Sequence, residues 1–356
     1  MKECERMTVE RYREYESGFL TEAGKRYGVA PERFRHVGGF ENLIYGFERD
    51  GREYILRVTH ESHRSAGEVA SELHWMRHLA EHDVRVARPV EAADGLLPGD
   101  VRTEAGTFLL SAFERAPGGH VDARRPEWGP RLFERWGELT GRMHRLAAGY
   151  EPPPGLSRRR GGEAEIGEAA DFAAEALEAA LGDGADQADA ATLEELAHAF
   201  GRAVEEAERL PRSADGFGMC HRDLHHGNFF VDGEGGMTAF DFDDCGYDFF
   251  IQDVAMPVYY GAVFGVWEKP EFDPRAASAS AERILDSFLQ GYGRERTIGA
   301  DWLRRLPLFV EKRRVDLCLV LFGEWGPGHS NEAQRAWLAW NADAIRQGVP
   351  CLELKL

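Results

Sequence analysis

Two short stretches of this 356-residue chain hold the side chains best suited to chemistry. The first, Cys220–Asn228, contains Asp223, and the second, Phe240–Asp244, contains Asp241. Asparagine and aspartate oxygens are the hard ligands that Mg²⁺ prefers. A further carboxylate beside such an ion can orient a hydroxyl group and accept its proton, as phosphoryl transfer requires. The residue types therefore indicate magnesium-assisted chemistry at a hydroxyl group.

The chain between these stretches predicts the element that positions them. Two short apolar runs, 229–231 and 237–240, flank a glycine-rich segment, 232–236, which is typical of a β-hairpin. Because a hairpin brings its two ends together, we expect Asn228 and Asp241 to lie side by side. Asp223 precedes the first strand and would complete the group.

The first 113 residues predict a β-rich region. A Gly38-Gly39 turn before Asn42 can present backbone N–H groups to phosphate oxygens, although most such turns are only turns. Glu68 and Glu72 are both candidates for an inward-facing acid on one helix. The predicted elements are, in order, a helix at about 8–27, strands at 33–37, 43–47 and 54–58, a helix at 66–81 and a strand at 107–113.

A polar segment rich in glycine and proline, 114–126, marks the predicted boundary between two parts. We predict an N-terminal nucleotide-binding lobe at 1–113 and a mainly helical lobe at 114–356, which carries the hairpin and the substrate site. The fold class is α+β. The alanine- and glutamate-rich part near 163–210 shows no chemistry of its own. Helices are expected at about 129–148, 166–181, 189–209, 249–266, 278–292, 299–322 and 331–346.

The amino-acid composition limits the kinds of binding partner and the compartment that we expect for this protein. A formal net charge of −19 argues against a nucleic-acid binder, because phosphate contacts need a basic face. Five scattered cysteines indicate a reducing compartment. The N-terminus lacks the apolar core of a signal peptide, and Phe249–Trp267 is apolar but interrupted by polar residues and proline, which favours a buried helix over a membrane span. We expect a cytoplasmic monomer or homodimer without a membrane partner.

The two stretches also carry a family resemblance. His221-Arg222-Asp223-Leu224, followed by Asn228, matches the catalytic-loop pattern of protein kinases, and Asp241-Phe242-Asp243 stands where Asp-Phe-Gly would be. The form His-x-Asp-Leu-His-x-Gly-Asn, then Asp-Phe-Asp-Asp and later Asp253, more closely resembles the aminoglycoside phosphotransferase/choline kinase-like family. That family includes type II homoserine kinases and bacterial stress-response kinases. The resemblance implies a protein-kinase-like fold with a small antiparallel-β lobe, a larger helical lobe, and Mg²⁺ and ATP bound between them.

The resemblance implies roles for individual residues. Asp223 resembles the catalytic base, and Asn228 and Asp241 resemble the magnesium ligands. His221 and Asp253 resemble residues that brace the catalytic loop. The positions that fall in the family's nucleotide loop are Gly38, Gly39 and Asn42, and those that fall where its hinge offers backbone groups to adenine are Ser111, Ala112 and Phe113.

The chain departs from the protein-kinase pattern at two positions. No lysine occurs between Lys25 and Lys269, so Arg57 stands where protein kinases have a phosphate-binding lysine. Arginine is always charged and binds phosphate in a bidentate manner, which makes the role feasible. Its expected carboxylate partner is Glu72, with Glu68 as second choice. Asp243 replaces the glycine after Asp-Phe and could add a second metal contact.

These observations predict an ATP-dependent phosphotransferase acting on a hydroxyl of a small molecule that is aminoglycoside-, choline- or homoserine-like. Several acids and aromatic rings C-terminal to the hairpin would suit a cationic acceptor but are also ordinary for a helix surface. They are Asp244, Tyr247, Asp248, Tyr259 and Tyr260, and the helix that carries Glu311, Asp316 and Glu324. Two alternatives stay open. One is a serine/threonine protein kinase of the bacterial stress-response type, although no Ala-Pro-Glu-like segment follows Asp241. The other is a hydrolase that binds a transition metal through the histidines near Cys220.

Overall fold

An antiparallel sheet near the amino terminus forms the first part of the fold. The computed structural model describes residues 9–39, 41–93, 95, 97–156, 158, 162, 165–167, 170, 174, 187–263, 273–329 and 331–356. The strands of this sheet are β1 (Arg35–Gly38), β2 (Leu43–Arg49), β3 (Arg52–His60), β4 (Pro89–Val90), β5 (Gly99–Thr103) and β6 (Gly106–Glu114). Their order is β1-β2-β3-β6-β4, with β5 also paired to β6.

Two helical segments accompany this sheet. The first begins with α1 (Val9–Tyr12), passes through a 3₁₀ turn and continues as α2 (Glu16–Tyr27), which ends at Gly28 in the left-handed region with φ 67°. Aromatic side chains join it to the sheet: Phe19 packs on Phe108 with ring centroids 5.5 Å apart. The second is α3 (Ala66–Glu81), where the side chains of Ser65 and Glu68 form a capping box. The predicted helix at 66–81 is therefore confirmed at both ends.

The predicted hairpin is also present. It consists of β8 (Phe229–Val231) and β9 (Met237–Ala239), which pair antiparallel with Phe229 opposite Ala239. Asp232 stabilises the turn, because its Oδ1 accepts hydrogen bonds from the backbone N–H groups of Glu234 and Gly236. The short strands β7 (Phe217–Cys220) and β10 (Gly246–Phe249) form a second antiparallel pair.

The rest of the described chain is mostly helical. Gly137 lies in helix α4 (Pro130–Ala147) and allows it to approach helix α7 (Pro274–Tyr292). A Cβ at Gly137 would lie 1.9 Å from the carbonyl oxygen of Phe288 in α7. The helix predicted at 249–266 is α6, and its described side chains are nearly all buried. The helices are α4 (Pro130–Ala147), α5 (Gln187–Glu208), α6 (Phe250–Val263), α7 (Pro274–Tyr292), α8 (Ala300–Leu303), α9 (Leu306–His329) and α10 (Glu332–Arg346).

Two predicted helices are not found as predicted: one is divided in the structure, and the other lies largely outside the described residues. The single helix expected at 299–322 is divided into α8 and α9, and α9 continues to His329. The helix expected at 166–181 lies largely outside the described residues. No helix in the described ranges has the length and apolar character that a membrane span needs.

The chain forms two compact units. The first consists of Met1–Gly119, Glu151–Arg159 and Phe229–Asp243, and the second consists of His120–Tyr150, Arg160–Asn228 and Asp244–Leu356. The first unit thus includes the hairpin, which the sequence-based division had placed in the helical part. The division at 113/114 into a nucleotide-binding lobe and a substrate lobe stays a prediction.

Candidate active site

Arg57 and Glu72 form a buried ion pair in the first unit. Arg57 Nη1 donates to Glu72 Oε1 at 2.8 Å, and Nη2 donates to Oε2 at 2.6 Å. Burial opposes the charge on Arg57, but the carboxylates of Glu72 and Asp243 outweigh burial and raise the pKa of the guanidinium. The acid that pairs with Arg57 is therefore Glu72, whereas Glu68 caps the start of α3.

Asp243 is surrounded by basic side chains of the same unit. Its Oδ2 lies 2.5 Å from His63 Nε2, and its Oδ1 lies 3.8 Å from Arg57 and 3.7 Å from Arg64. Arg158 donates to its backbone carbonyl. Burial acts to raise the pKa of Asp243, but these partners outweigh it and hold that pKa well below its usual range. Asp243 is thus a carboxylate at working pH, and its Oδ1 accepts no hydrogen bond.

Asp241 differs from Asp243 in exposure and backbone. It is exposed and has φ 61°, a left-handed conformation that is uncommon for a residue other than glycine. Its negative charge contributes to the raised pKa of Arg57. Strained backbone of this kind persists where the surroundings impose it, often at functional positions.

The glycine turn between β1 and β2 is tightly closed. Gly39 has φ 132°, and a Cβ at this position would lie 1.8 Å from the carbonyl oxygen of Asn42, so the turn requires glycine there. Gly38 ends β1 with φ 146°. The buried Asn42 joins the turn to β3, because its Oδ1 accepts from Thr59 Oγ1 at 2.6 Å.

The positions predicted to face adenine lie within β6. Ser111 is opposite Arg57 of β3, while Ala112 and Phe113 pair with β3 on one side and with β4 on the other. Two buried polar atoms on the paired positions, Arg57 Nε and Ser111 Oγ, have no hydrogen-bond partner. Because buried polar groups are nearly always paired, these atoms favour a polar ligand or water beside them.

The second unit positions Asp223 through both of its carboxylate oxygens. Asn228 Nδ2 donates to Asp223 Oδ2 and to the Asp223 backbone carbonyl, each at 2.9 Å. Arg313 Nη2 donates to Asp223 Oδ1 at 2.7 Å. Since both partners of the Asn228 amide nitrogen are acceptors, the orientation of this amide is fixed and its Oδ1 is the oxygen left to bind a metal.

Asp253 of α6 anchors the backbone that carries Asp223. Its Oδ2 accepts from the backbone N–H of His221 at 2.9 Å, and its Oδ1 accepts from that of Arg222 at 2.7 Å. His144 Nε2 lies 3.0 Å from Asp253 Oδ2. Burial would raise the pKa of Asp253, but the contact with His144 outweighs it and lowers the pKa. Asp253 thus contacts the loop through backbone N–H groups, and the bracing role that the resemblance implies for His221 and Asp253 stays a prediction.

A buried group of four charges next to Asp223 was missed by the sequence analysis. Arg222, which has φ 69°, donates to Asp248 Oδ2 at 3.1 Å and to Glu165. Lys312 donates to Glu165 at 2.9 Å. Burial opposes ionisation of Glu165, but Lys312 and Arg222 outweigh it and lower the pKa of Glu165 to about 2. The segment near 163–210 therefore does contribute to the surroundings of Asp223.

The histidines near Cys220 do not form a free metal site among the described residues. Burial and the charge of Arg313 hold the pKa of His225 well below its usual range, so this ring is neutral. The group His144, Cys220 and Asp253 has ligand atoms close enough for a metal. However, Asp253 already accepts from two backbone N–H groups and from His144, so in this structure its carboxylate holds the loop that carries Asp223.

The fold and these two groups of residues define a protein-kinase-like phosphotransferase. The sequence signature described as the Phosphotransferase enzyme family matches residues 34–306, and the chain belongs to that family. The predicted family, fold class and activity, the transfer of phosphate from ATP to a small-molecule hydroxyl, are thereby confirmed.

Two amicoumacin kinases that are similar to nearly the whole of this chain support the same assignment. The chain is 32% identical to the amicoumacin kinase of Bacillus subtilis (strain 168) over 341 residues, which cover 94% of each chain. It is similar to the structure of amicoumacin kinase hAmiN in complex with AMP-PNP, Ca²⁺ and Ami, with 28% identity, a TM-score of 0.82 and 98% of each chain covered.

A more distant structure agrees in fold. The microcompartment-associated aminopropanol kinase has 24% identity and a TM-score of 0.68, with 93% of this chain and 97% of that one covered.

Proposed function

We propose that Asp223 orients and deprotonates the acceptor hydroxyl for in-line attack on the γ-phosphate of ATP. The observation that supports this role is that both oxygens of its carboxylate accept hydrogen bonds, Oδ2 from Asn228 and Oδ1 from Arg313. A carboxylate can accept about four hydrogen bonds, so these two contacts and a bond from the acceptor hydroxyl are compatible in number. The anchoring of its backbone through Asp253 fixes the base relative to the loop.

The metal proposed is Mg²⁺, held by Asn228 and Asp241 with Asp243 as a further ligand. The donors fit a hard cation, because each is an oxygen: the amide oxygen of Asn228, the exposed carboxylate of Asp241 and the unbonded Oδ1 of Asp243. Such an ion neutralises charge on the phosphates of the nucleotide. The structure of the similar protein hAmiN is a complex with AMP-PNP, Ca²⁺ and Ami, and Ca²⁺ is another ion that prefers oxygen ligands.

Arg57 is proposed to bind the nucleotide phosphates. Glu72 holds two of its nitrogens, and the remaining Nε is buried without a hydrogen-bond partner. An arginine held in this way has little side-chain freedom left to lose when phosphate binds. The turn at Gly38, Gly39 and Asn42 and the hinge at Ser111, Ala112 and Phe113 are proposed to contact the rest of the nucleotide. We also propose a cytoplasmic location, since ATP is the phosphate donor.

We propose that the acceptor is a hydroxyl group of amicoumacin or of a related amine-bearing small molecule. The amicoumacin kinase of Bacillus subtilis supports this choice, because its 32% identity extends over nearly the whole of both chains. The likeness to kinases of aminopropanol and spectinomycin is at or below 24% identity and supports the fold alone.

The test is a label-transfer screen. Purified protein with Mg²⁺ and γ-labelled ATP is incubated with amicoumacin, aminopropanol, spectinomycin, hygromycin B, choline, homoserine and generic protein substrates. We expect label in amicoumacin, with less or none in the others. Label only in protein would instead establish the protein-kinase alternative and overturn the proposed acceptor.

Asp223→Asn tests the base with whichever acceptor the screen identifies. The amide keeps the size of the side chain but cannot accept the proton, so we expect kcat to fall by about 100-fold or more, within the range typical of general-base catalysis. The affinity for Mg²⁺ and ATP should stay within a few-fold of the original. Turnover near the original rate would exclude Asp223 as the base.

A further inference from the structure

Arg313 of α9 lies at the centre of a small acidic and aromatic group in the second unit. Its Nη2 donates to Asp223 Oδ1 at 2.7 Å and to the Tyr260 hydroxyl at 2.6 Å. Its Nη1 donates to Asp316 Oδ2 at 2.6 Å, and its Nε donates to the Tyr260 hydroxyl at 3.1 Å. The guanidinium carbon also lies 5.3 Å from the centre of the Tyr260 ring. Every nitrogen of the guanidinium is thus engaged.

From this arrangement we infer that Arg313 is a positioning residue for phosphoryl transfer: it fixes the rotamer of the Asp223 carboxylate and supplies a permanent positive charge beside it. The inference rests on the proposed role of Asp223 as the base. Asn228 holds one carboxylate oxygen and Arg313 the other, so rotation about the Cβ–Cγ bond would break both contacts. Preorganised geometry of this kind is a large part of enzymatic rate enhancement.

Arg313 is held too firmly to act as a mobile gate. Only 17% of its side chain is exposed, and its contacts come from three different side chains. Displacement by a cationic acceptor would leave a buried guanidinium without its carboxylates, which is costly.

The acids and rings that suggested a site for a cationic acceptor therefore already have a cation of the chain between them. Asp316 and the Tyr260 ring bind Arg313, and Asp223 is neutralised by it. An amine group of the acceptor must therefore pair with acids other than Asp223 and Asp316. This part of the site selects a hydroxyl group of the acceptor.

The test compares Arg313→Met with Arg314→Met. Arg314 is a matched control: it is the next residue of α9 and is buried, but its guanidinium binds Glu311, Asn341 and the carbonyl of Val349. We expect Arg313→Met to lower kcat by about 10- to 100-fold, while the KM values for ATP and acceptor stay within about threefold. Arg314→Met should lower thermal stability but leave kcat of the folded enzyme within about threefold.

A double variant separates this inference from the assignment of the base. If Arg313 acts through Asp223, Arg313→Met costs nothing further in an Asp223→Asn background, because residues that act as a unit are not additive. Arg313→Lys should recover at least part of the lost kcat, since it keeps the charge. Full additivity, or an equal loss of kcat in Arg314→Met, would overturn the inference. An active Asp223→Asn enzyme would instead disprove the proposed base.

Discussion

The ion pair of Arg57 and Glu72 shows how much one buried contact can contribute to the stability of the fold and to the position of a side chain. Both side chains are almost completely buried and joined by two hydrogen bonds. Removing one partner of such a pair leaves a buried charge, which typically costs about 3–5 kcal/mol of stability. The same contact holds the guanidinium in the place where the nucleotide phosphates are proposed to bind.

Arg57→Lys tests whether geometry or charge is needed. Lysine keeps the positive charge but cannot make the bidentate contact with Glu72 and lacks Nε. We expect kcat/KM for ATP to fall by about tenfold and Arg57→Met to lose a further tenfold or more, measured by steady-state kinetics on folded protein. If Arg57→Met kept kcat/KM for ATP within twofold, the phosphate-binding role would be wrong.

Asp241→Asn tests the metal ligand. We expect the Mg²⁺ concentration for half-maximal activity to rise by at least about tenfold, because the amide loses the negative charge that attracts the ion. Asp50→Asn is the control, since Asp50 also has a positive φ, 52°, but lies in the turn between β2 and β3. An unchanged Mg²⁺ requirement in Asp241→Asn would contradict the assignment.

Sequence reasoning reached some of the site residues and missed others for a physical reason. Asp223, Asn228 and Asp241 stand at fixed spacings around a hairpin, so a local pattern indicates them. The partners Glu165 and Arg313 come from distant positions, 57 and 90 residues from the loop residues they bind. One signal was available: Lys312, Arg313 and Arg314 are consecutive charges in a largely apolar helix, and buried charges need acidic partners.

At the level of elements, Glu165 joins the alanine- and glutamate-rich part of the chain to the loop that carries Asp223. Glu165→Gln leaves Arg222 and Lys312 without a full countercharge, so we expect a loss of about 3 kcal/mol in the free energy of unfolding and a lower kcat. The control is Glu195→Gln, which removes an exposed ion pair with Arg346 and should cost less than about 1 kcal/mol. Equal effects in urea denaturation would contradict the structural role of Glu165.

The same variant has a pH signature. Because the pKa of Glu165 falls from 4.5 to about 2 on folding, its stabilisation is fully present above about pH 5 and is lost as the pH falls toward 2. The stability difference between the original protein and Glu165→Gln should therefore shrink as the pH is lowered through this range. A stability difference that stays constant with pH would contradict a lowered pKa of Glu165 in the folded protein.

Gly39→Ala tests the turn between β1 and β2. A Cβ would overlap the Asn42 carbonyl oxygen at 1.8 Å, and φ 132° is strained for alanine. We expect the turn to change shape and the KM for ATP to rise about tenfold, with a loss of stability. Gly67→Ala is the control: it has open space around it in the first turn of α3 and should leave kinetics unchanged. An unaltered KM for ATP in Gly39→Ala would separate this turn from nucleotide binding.

Strong local signals made some elements predictable. The helix at 66–81 was correct at both ends because Ser65 and Glu68 provide a capping box before an apolar stripe. Strands β5, β7 and β10 were missed because each is short and stabilised by pairing with a partner: β5 with β6, and β10 with β7. Short strands depend on such tertiary contacts more than on their own propensity.

For the whole molecule, buried histidines should make stability depend on pH. Burial lowers the pKa of His226 from 6.5 to about 4, so the unfolded chain binds a proton first as the pH falls. Where the unfolded state binds more protons, stability falls with decreasing pH. We expect His226→Phe to flatten the pH dependence between about pH 6 and 4.5 by up to about 1.4 kcal/mol per pH unit.

The measurement is urea denaturation at a series of pH values. The control is His198→Gln, which removes an exposed histidine of α5 and leaves His226 in place. Parallel curves for the original protein and His226→Phe would contradict a buried neutral ring at this position.

The two-part architecture was predicted from the order of the expected strands and helices, and the family resemblance implied the same two lobes. Periodicity gave helices and strands, and the polar segment 114–126 suggested a boundary. It could not show that Phe229–Asp243 packs with the first unit, since this depends on contacts such as that of Ala87 N–H with the Ala239 carbonyl. Such pairing between distant segments leaves no local sequence pattern.

The run of three basic residues on α9 has a consequence for how the chain can change length. Successive residues of a helix point about 100° apart, so Lys312, Arg313 and Arg314 reach three separate sets of acids. Deleting or inserting one residue between Leu306 and Glu311 would rotate all three at once away from their partners outside this helix, which are Glu165, Asp223 and Asn341. We expect natural length variation to be absent from this half of α9 and more common at 233–234 of the hairpin turn, where both residues are exposed.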